Sequence, residues 1–205
     1  MELLDIYDNH GNITGKKIIR GDKTAKLNKN EHIAIAVIFI ENDNGEYLIQ
    51  KTSKAKGDCF SSTGGHVDSG ETPLESIKRK VKEEIGINID NDTIEEYGYL
   101  SYDMPLRFIF YTKKNINLKD IKIQEEEVEY VKYMNISEIK ELINNHKMLE
   151  SHGIMFNELI KRKKWFKIIF YFLNILLIYY KNLMTSISIF PHLENNLMFF
   201  LRLQE

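Results

Sequence analysis

Gly65-His66-Val67-Asp68-Ser69-Gly70-Glu71-Thr72-Pro73-Leu74-Glu75-Ser76-Ile77-Lys78-Arg79-Lys80-Val81-Lys82-Glu83-Glu84-Ile85-Gly86-Ile87 is the stretch that decides the fold. It opens as glycine-rich chain and passes into a helix whose start is explicit in the residues. Thr72 offers an N-cap hydroxyl, Pro73 falls in the first turn, and Glu75 stands three residues after the cap, the pattern of a capping box. Leu74, Ile77, Val81 and Ile85 then recur at helical spacing and form one apolar face. Gly86 supplies the C-terminal stop.

Outward from this helix the chain reads mostly as strands. Upstream, Ile33 to Ile40 is a continuous apolar run rich in β-branched residues, the pattern of a buried strand. The turn Asn42-Asp43-Asn44-Gly45 leads into a returning strand, Glu46 to Lys51. Leu3 to Tyr7 and Lys16 to Arg20 read as short strands around the turn Asn9-His10-Gly11-Asn12. The segments Lys23 to Glu31 and Lys54 to Gly65 read as loops. Downstream, Leu106 to Tyr111 and Val128 to Met134 read as strands. Ser137 is expected to cap a helix over Glu138 to Ile143, and Ser151 another running to about Arg162. Strands, helix, strands, helix is the order of a mixed sheet covered by helices, an α/β class.

The polar residues of the central helix point to chemistry. Lys80, Glu83 and Glu84 lie three and four residues apart and share one flank. A bare glutamate pair on a helix is ordinarily a solvated face. Adjacent carboxylates at the end of a rigid helix also suit a hard cation, which takes one or two carboxylates plus phosphate oxygens and water. The Gly64-Gly65 pair permits close backbone approach and offers a carbonyl as a further ligand.

The same stretch resembles the Nudix box, G-x5-E-x7-R-E-U-x-E-E-x-G-U with U aliphatic. Gly65, Glu71, Arg79, Glu83, Glu84, Gly86 and Ile87 fall at their places, and Lys80 stands where the family has glutamate. The resemblance implies a Nudix-like α/β/α sandwich with a mixed β-sheet over residues 1–163. It implies metal-dependent hydrolysis of a nucleoside diphosphate linked to another moiety, or of a similar small diphosphate compound, with Mg²⁺ or Mn²⁺ as cofactor. By the same resemblance Glu83, Glu84 and Gly65 are metal ligands, and Arg79 and Glu71 hold the box in shape. Glu127, in the acidic run Gln124-Glu125-Glu126-Glu127, matches a functional glutamate that the family often carries before a strand. Gly64, Gly65 and His66 are expected beside the substrate phosphates, and His32 is a second histidine that could lie near the pocket.

Lys80 opens three alternatives. One metal still binds through Glu83 and Glu84, with slower chemistry; catalysis rests on carboxylates elsewhere; or the protein is a diphosphate-binding pseudoenzyme. Isopentenyl diphosphate isomerases share the fold and use a cysteine, but their cysteine motif is not recognisable around Cys59, so an isomerase-like activity ranks below hydrolysis.

The 205 residues carry a formal net charge of -2, so no global basic field points to nucleic acid. The single cysteine precludes an internal disulfide and suits a reducing cytoplasm. Residues 164–205 form a hydrophobic C-terminal extension with roughly 60% apolar residues, above the globular norm. Within it Ile168 to Tyr180 is almost wholly apolar, Lys161-Arg162-Lys163-Lys164 precedes it, and Phe199-Phe200-Leu201 adds apolar surface near the end. Three expectations stand side by side for this tail. It packs on the domain or on a second copy of the chain as in a homodimer; it lies as a helix at a membrane surface over residues 165–190; or it is a vestige of translation past an ancestral stop.

Overall fold

The computed structural model of the chain describes residues 2–22, 24, 26–101 and 105–187, with side chains up to Tyr180. Phe199, Phe200 and Leu201 lie outside the described residues. The chain divides into two compact units, Met1–Ile160 and Lys161–Glu205.

In the first unit the strands are β1 (Leu3–Tyr7), β2 (Ile13–Ile19), β3 (Ala34–Glu41), β4 (Tyr47–Thr52), β5 (Phe60–Ser61), β6 (Thr63–His66), β7 (Ile94–Leu100), β8 (Leu106–Lys113) and β9 (Val128–Met134). The helices are α1 (Pro73–Ile85), α2 (Ile136–Asn144) and α3 (Glu150–Ile187), of which α3 runs on into the second unit. Strands β1 and β2 form an antiparallel hairpin. The other seven described strands form one sheet in the order β5-β4-β3-β8-β7, with β6 also paired to β3 and β9 to β4. It is a mixed sheet, because β3 and β8 run parallel while their other partners are antiparallel.

The run Ile33 to Ile40 explains why helices cover both faces. Successive strand side chains point to opposite faces. Ala34, Ala36, Ile38 and Ile40 enter one apolar cluster with Ile77, Val81 and Ile85 of α1. Val37 and Phe39 enter another with Ile139 of α2 and Met155, Phe156 and Leu159 of α3. A strand buried on both sides has no polar alternation, which is what its sequence shows.

Helix α1 begins and ends as its sequence indicates. The Thr72 side chain accepts from the Glu75 N–H, the Glu75 carboxylate accepts from the Thr72 N–H at 2.8 Å, and Gly86 adopts a left-handed φ of 73°.

Several expectations require correction. The segment Lys54 to Gly65 is not a plain loop: it holds β5 and β6. Glycine is poor at filling a strand, so the pattern around Gly64-Gly65 concealed one. The backbone pairs nonetheless, with Ile35, Ala36, Val37 and Ile38 opposite His66, Gly65, Gly64 and Thr63. Strand β7 is additional to the expected strands, and β2 starts at Ile13 rather than Lys16. The cap of α2 is Asn135, not Ser137: Asn135 Oδ1 accepts from the Glu138 N–H at 3.0 Å, and Glu138 returns the bond at 2.8 Å. Ser151 lies inside α3, which starts at Glu150 and continues to Ile187 rather than stopping near Arg162. No glycine or proline interrupts the chain between Gly153 and Pro191, so nothing local breaks the helix there.

In the second unit, taken by itself, the helix carries exposed apolar side chains from Trp165 to Tyr180 on all sides. Among the described residues, no helix is long and apolar enough to cross a membrane.

Candidate active site

The box folds into three parts that converge: β6, the loop Val67 to Thr72, and α1. Gly64 sits hard against β3. A Cβ there would lie 2.4 Å from the Ala36 carbonyl oxygen, so no larger residue fits without moving the sheet. Gly65 faces the other way, and its missing side chain is replaced by that of Lys80, whose Cε lies 3.0 Å from where a Cβ would stand.

Arg79 ties the loop to the helix. Its Nε and Nη2 donate to the two oxygens of Glu71, both at 2.7 Å, and Nη2 also lies 3.0 Å from Asp68. A bidentate fork of this kind fixes orientation as well as charge. The Arg79 guanidinium holds the Glu71 carboxyl below its ordinary pKa. Nη1 reaches Glu83 at 3.3 Å.

The two adjacent glutamates of the helix have different surroundings. Glu83 is 41% exposed at its side chain and faces Arg79 and Lys80. Glu84 is only 4% exposed. Gln50 Nε2 donates to its Oε2 at 3.1 Å and to Thr63 Oγ1 at 2.6 Å. Burial pushes Glu84 up to about 7; hydrogen bonds from Gln50 and the Gly64 N–H and the charge of Lys80 oppose the rise, and the charge of Glu127 adds to it.

Glu84 lines a cavity of about 340 Å³ together with Gly64, Gly65, His66, Lys80 and Glu127. The structure therefore brings together most of the residues singled out from sequence. Arg79, Glu71 and Glu83 are not among the lining residues; they brace the loop and helix from outside. His66 is held below its ordinary pKa, chiefly by burial. His32 is buried and pairs through Nε2 with Asn9 Oδ1 at 2.7 Å, away from the cavity wall. Cys59 does not line the cavity either; it packs with Thr52.

Other lining residues carry no box signal in the sequence. Gln50, Ser62 and His152 are among them. The His152 Nδ1 accepts the Ser62 N–H at 3.1 Å. Burial and then the charge of Arg107 depress its pKa to about 4, so the ring is neutral near neutrality. Gln50 carried one signal, an amide ending the apolar run Tyr47-Leu48-Ile49; a buried polar residue on a strand is informative in itself. A second recess of about 470 Å³ under the β1–β2 hairpin shares Arg20 and His66 with the first.

Among the described residues, no three His, Cys, Asp or Glu side chains converge as a ready-made metal cage. A hydrated Mg²⁺ does not require one, because it keeps several waters and uses one or two carboxylates with substrate phosphates. Glu84 and Glu127 both line the cavity, Glu127 also pairing with Lys56 at 2.9 Å, and together they could supply those carboxylates. Glu83, already shared between two cations, fits that role less well.

The chain is similar to known proteins. The family model described as the NUDIX domain matches residues 30–156. Over 147 residues the chain is 32% identical to an uncharacterized Nudix hydrolase of Listeria monocytogenes, covering 69% of this chain and 85% of that protein. Over 73 residues it is 40% identical to the ADP-ribose pyrophosphatase of Methanocaldococcus jannaschii, covering 35% of this chain and 43% of that protein. A solved structure from Deinococcus radiodurans superposes with a TM-score of 0.63 at 16% identity, covering 76% of this chain and 98% of that one. At that identity the likeness speaks to the fold alone.

Proposed function

The chain belongs to the Nudix family, and from that premise we propose that it hydrolyses a nucleoside diphosphate linked to another moiety, using Mg²⁺ or Mn²⁺ held by Glu84 and Glu127. The observation that carries this is the single cavity in which Glu84, Glu127, Gly64, Gly65 and His66 meet. When bound, the metal would neutralise diphosphate charge and lower the pKa of a bound water. The chain's own residues position the reactants. Gln50 and the Gly64 N–H hold the Glu84 carboxylate in one orientation. Arg79 and Glu71 keep the loop closed on the helix. A water oxygen bonds to one phosphorus and loses a proton to solvent, the bond from that phosphorus to the bridging oxygen breaks with its electron pair staying on that oxygen, and two phosphate-bearing products leave.

Hydrolysis is favoured over binding alone because the relatives carry hydrolase names and because a nearly buried carboxylate opens onto the cavity. An isomerase-like role finds no support in Cys59, which lies outside the cavity wall. The relative named ADP-ribose pyrophosphatase makes ADP-ribose the first compound to test.

The test is product release from a panel of nucleoside diphosphate derivatives with Mg²⁺ or Mn²⁺ and, in parallel, with excess chelator. Cleavage of at least one compound that stops on chelation is the expected result. Failure to cleave any of them in the presence of metal overturns the proposal.

A further inference from the structure

We propose that Lys80 makes this cavity a metal-independent binding site for a diphosphate anion, its ammonium taking phosphate oxygens where the Nudix pattern has a carboxylate. The inference rests on the cavity being the substrate site, as proposed above.

The side chain is built into the site. Its stem lies across Gly65, and it is only 19% exposed. A lysine held this way has already lost much of its freedom, so less is lost when a ligand arrives. Its Nζ gives one donor to Glu83 Oε2 at 3.0 Å. An ammonium has three donors, which leaves two for phosphate oxygens.

Three cations, Arg20, Lys56 and Lys80, and four carboxylates, Glu2, Asp68, Glu84 and Glu127, line the cavity, and Asp68 pairs with Arg79, which is not among the lining residues. Arg20 pairs with Glu2 at 2.5 Å, and Lys56 pairs with Glu127 at 2.9 Å. Both of those carboxylates line the cavity, so each pair nearly cancels there. Lys80 pairs with Glu83, which is not among the lining residues. The positive end of that pair therefore faces the cavity and the negative end faces outward. A glutamate at position 80 would add a second carboxylate beside Glu84, and a divalent ion would have to screen both before a diphosphate could enter. Lysine places a positive charge at that position instead.

The experiment is calorimetric titration of the full chain with inorganic pyrophosphate in EDTA, repeated with Mn²⁺. The native chain is expected to bind in EDTA, and more weakly as salt is raised. Lys80→Met, which keeps most of the stem and removes the charge, is expected to lose at least about ten-fold in affinity in EDTA. Lys80→Arg is expected to stay within a few-fold of native. Lys80→Glu is expected to bind pyrophosphate only with Mn²⁺ and to take up more Mn²⁺ by electron paramagnetic resonance. Absence of native binding in EDTA overturns the proposal whether or not any variant folds. Equal binding by native and Lys80→Met overturns it as well. Turnover of the panel is measured on the same native sample. Lys80-dependent binding in EDTA without turnover leaves this inference standing and defeats the hydrolase reading. Turnover without binding in EDTA does the reverse.

Discussion

Glu84 is the residue on which the site's electrostatics turn. Burial lifts its carboxyl to about 7, above the ordinary carboxylate range that the unfolded chain would show. The native state therefore holds a proton that the unfolded state has released between about pH 4.5 and 7, and stability falls as pH rises through that window. Above it the full cost of the buried charge is in place. Glu84→Gln keeps an acceptor for Gln50 and removes the charge. In metal-free buffer at pH 8 it is expected to be more stable than native by on the order of 2 kcal/mol, and the gain should shrink towards pH 4.5. Urea unfolding at pH 5 and pH 8 checks this; an equal difference at both values would contradict it. Glu83 is next to Glu84 in sequence, but the helix turns it outward, where solvent and two cations surround it. No spacing rule separates two adjacent glutamates on an exposed-looking flank. The sheet that buries one of them does.

At the scale of elements, what was legible followed from local chemistry. Helix α1 could be read because Thr72, Glu75 and Gly86 act on backbone groups within a turn of themselves. Asn135 and Glu138 carry the same signal for α2, with Ser137 two residues on as a competing cap candidate. Strand β6 was hidden because its pairing with β3 is set by the partner, not by its own glycines. Part of the cavity lining was hidden for the same reason: Gln50, Ser62 and His152 meet the box only once the sheet and α3 are assembled. The two glycines of β6 now make a contrast. Gly64→Ala would press a Cβ to 2.4 Å from the Ala36 carbonyl, whereas at Gly65 the closest atoms belong to the flexible Lys80 chain. Gly64→Ala is expected to destabilise by about 1–3 kcal/mol or more, and Gly65→Ala by clearly less. Thermal unfolding of the two variants decides it; equal losses would mean that β6 is not held against β3 as described.

At the scale of the whole molecule, among the described residues the two apolar clusters on either face of the sheet consist of residues up to Ile160. A chain ending at Lys163 is therefore expected to stay soluble, to unfold in one cooperative transition and to keep its hydrolytic activity. An insoluble or unfolded product would show that the core needs residues beyond that point. The tail's apolar composition is plain in the sequence, but a run of Ile, Leu, Phe and Tyr states only that water is disfavoured. The central claim is that the cavity around Glu84 performs the hydrolysis. The most direct test is kcat/KM of the full chain and of Glu84→Gln on the best-cleaved compound of the panel, at saturating Mg²⁺ and pH 8. The variant is expected to fall by roughly 100-fold or more, at or beyond the 10–100-fold typical when only a neighbour of a metal ligand is changed. Undiminished turnover by Glu84→Gln would contradict the account and place the chemistry elsewhere in the chain.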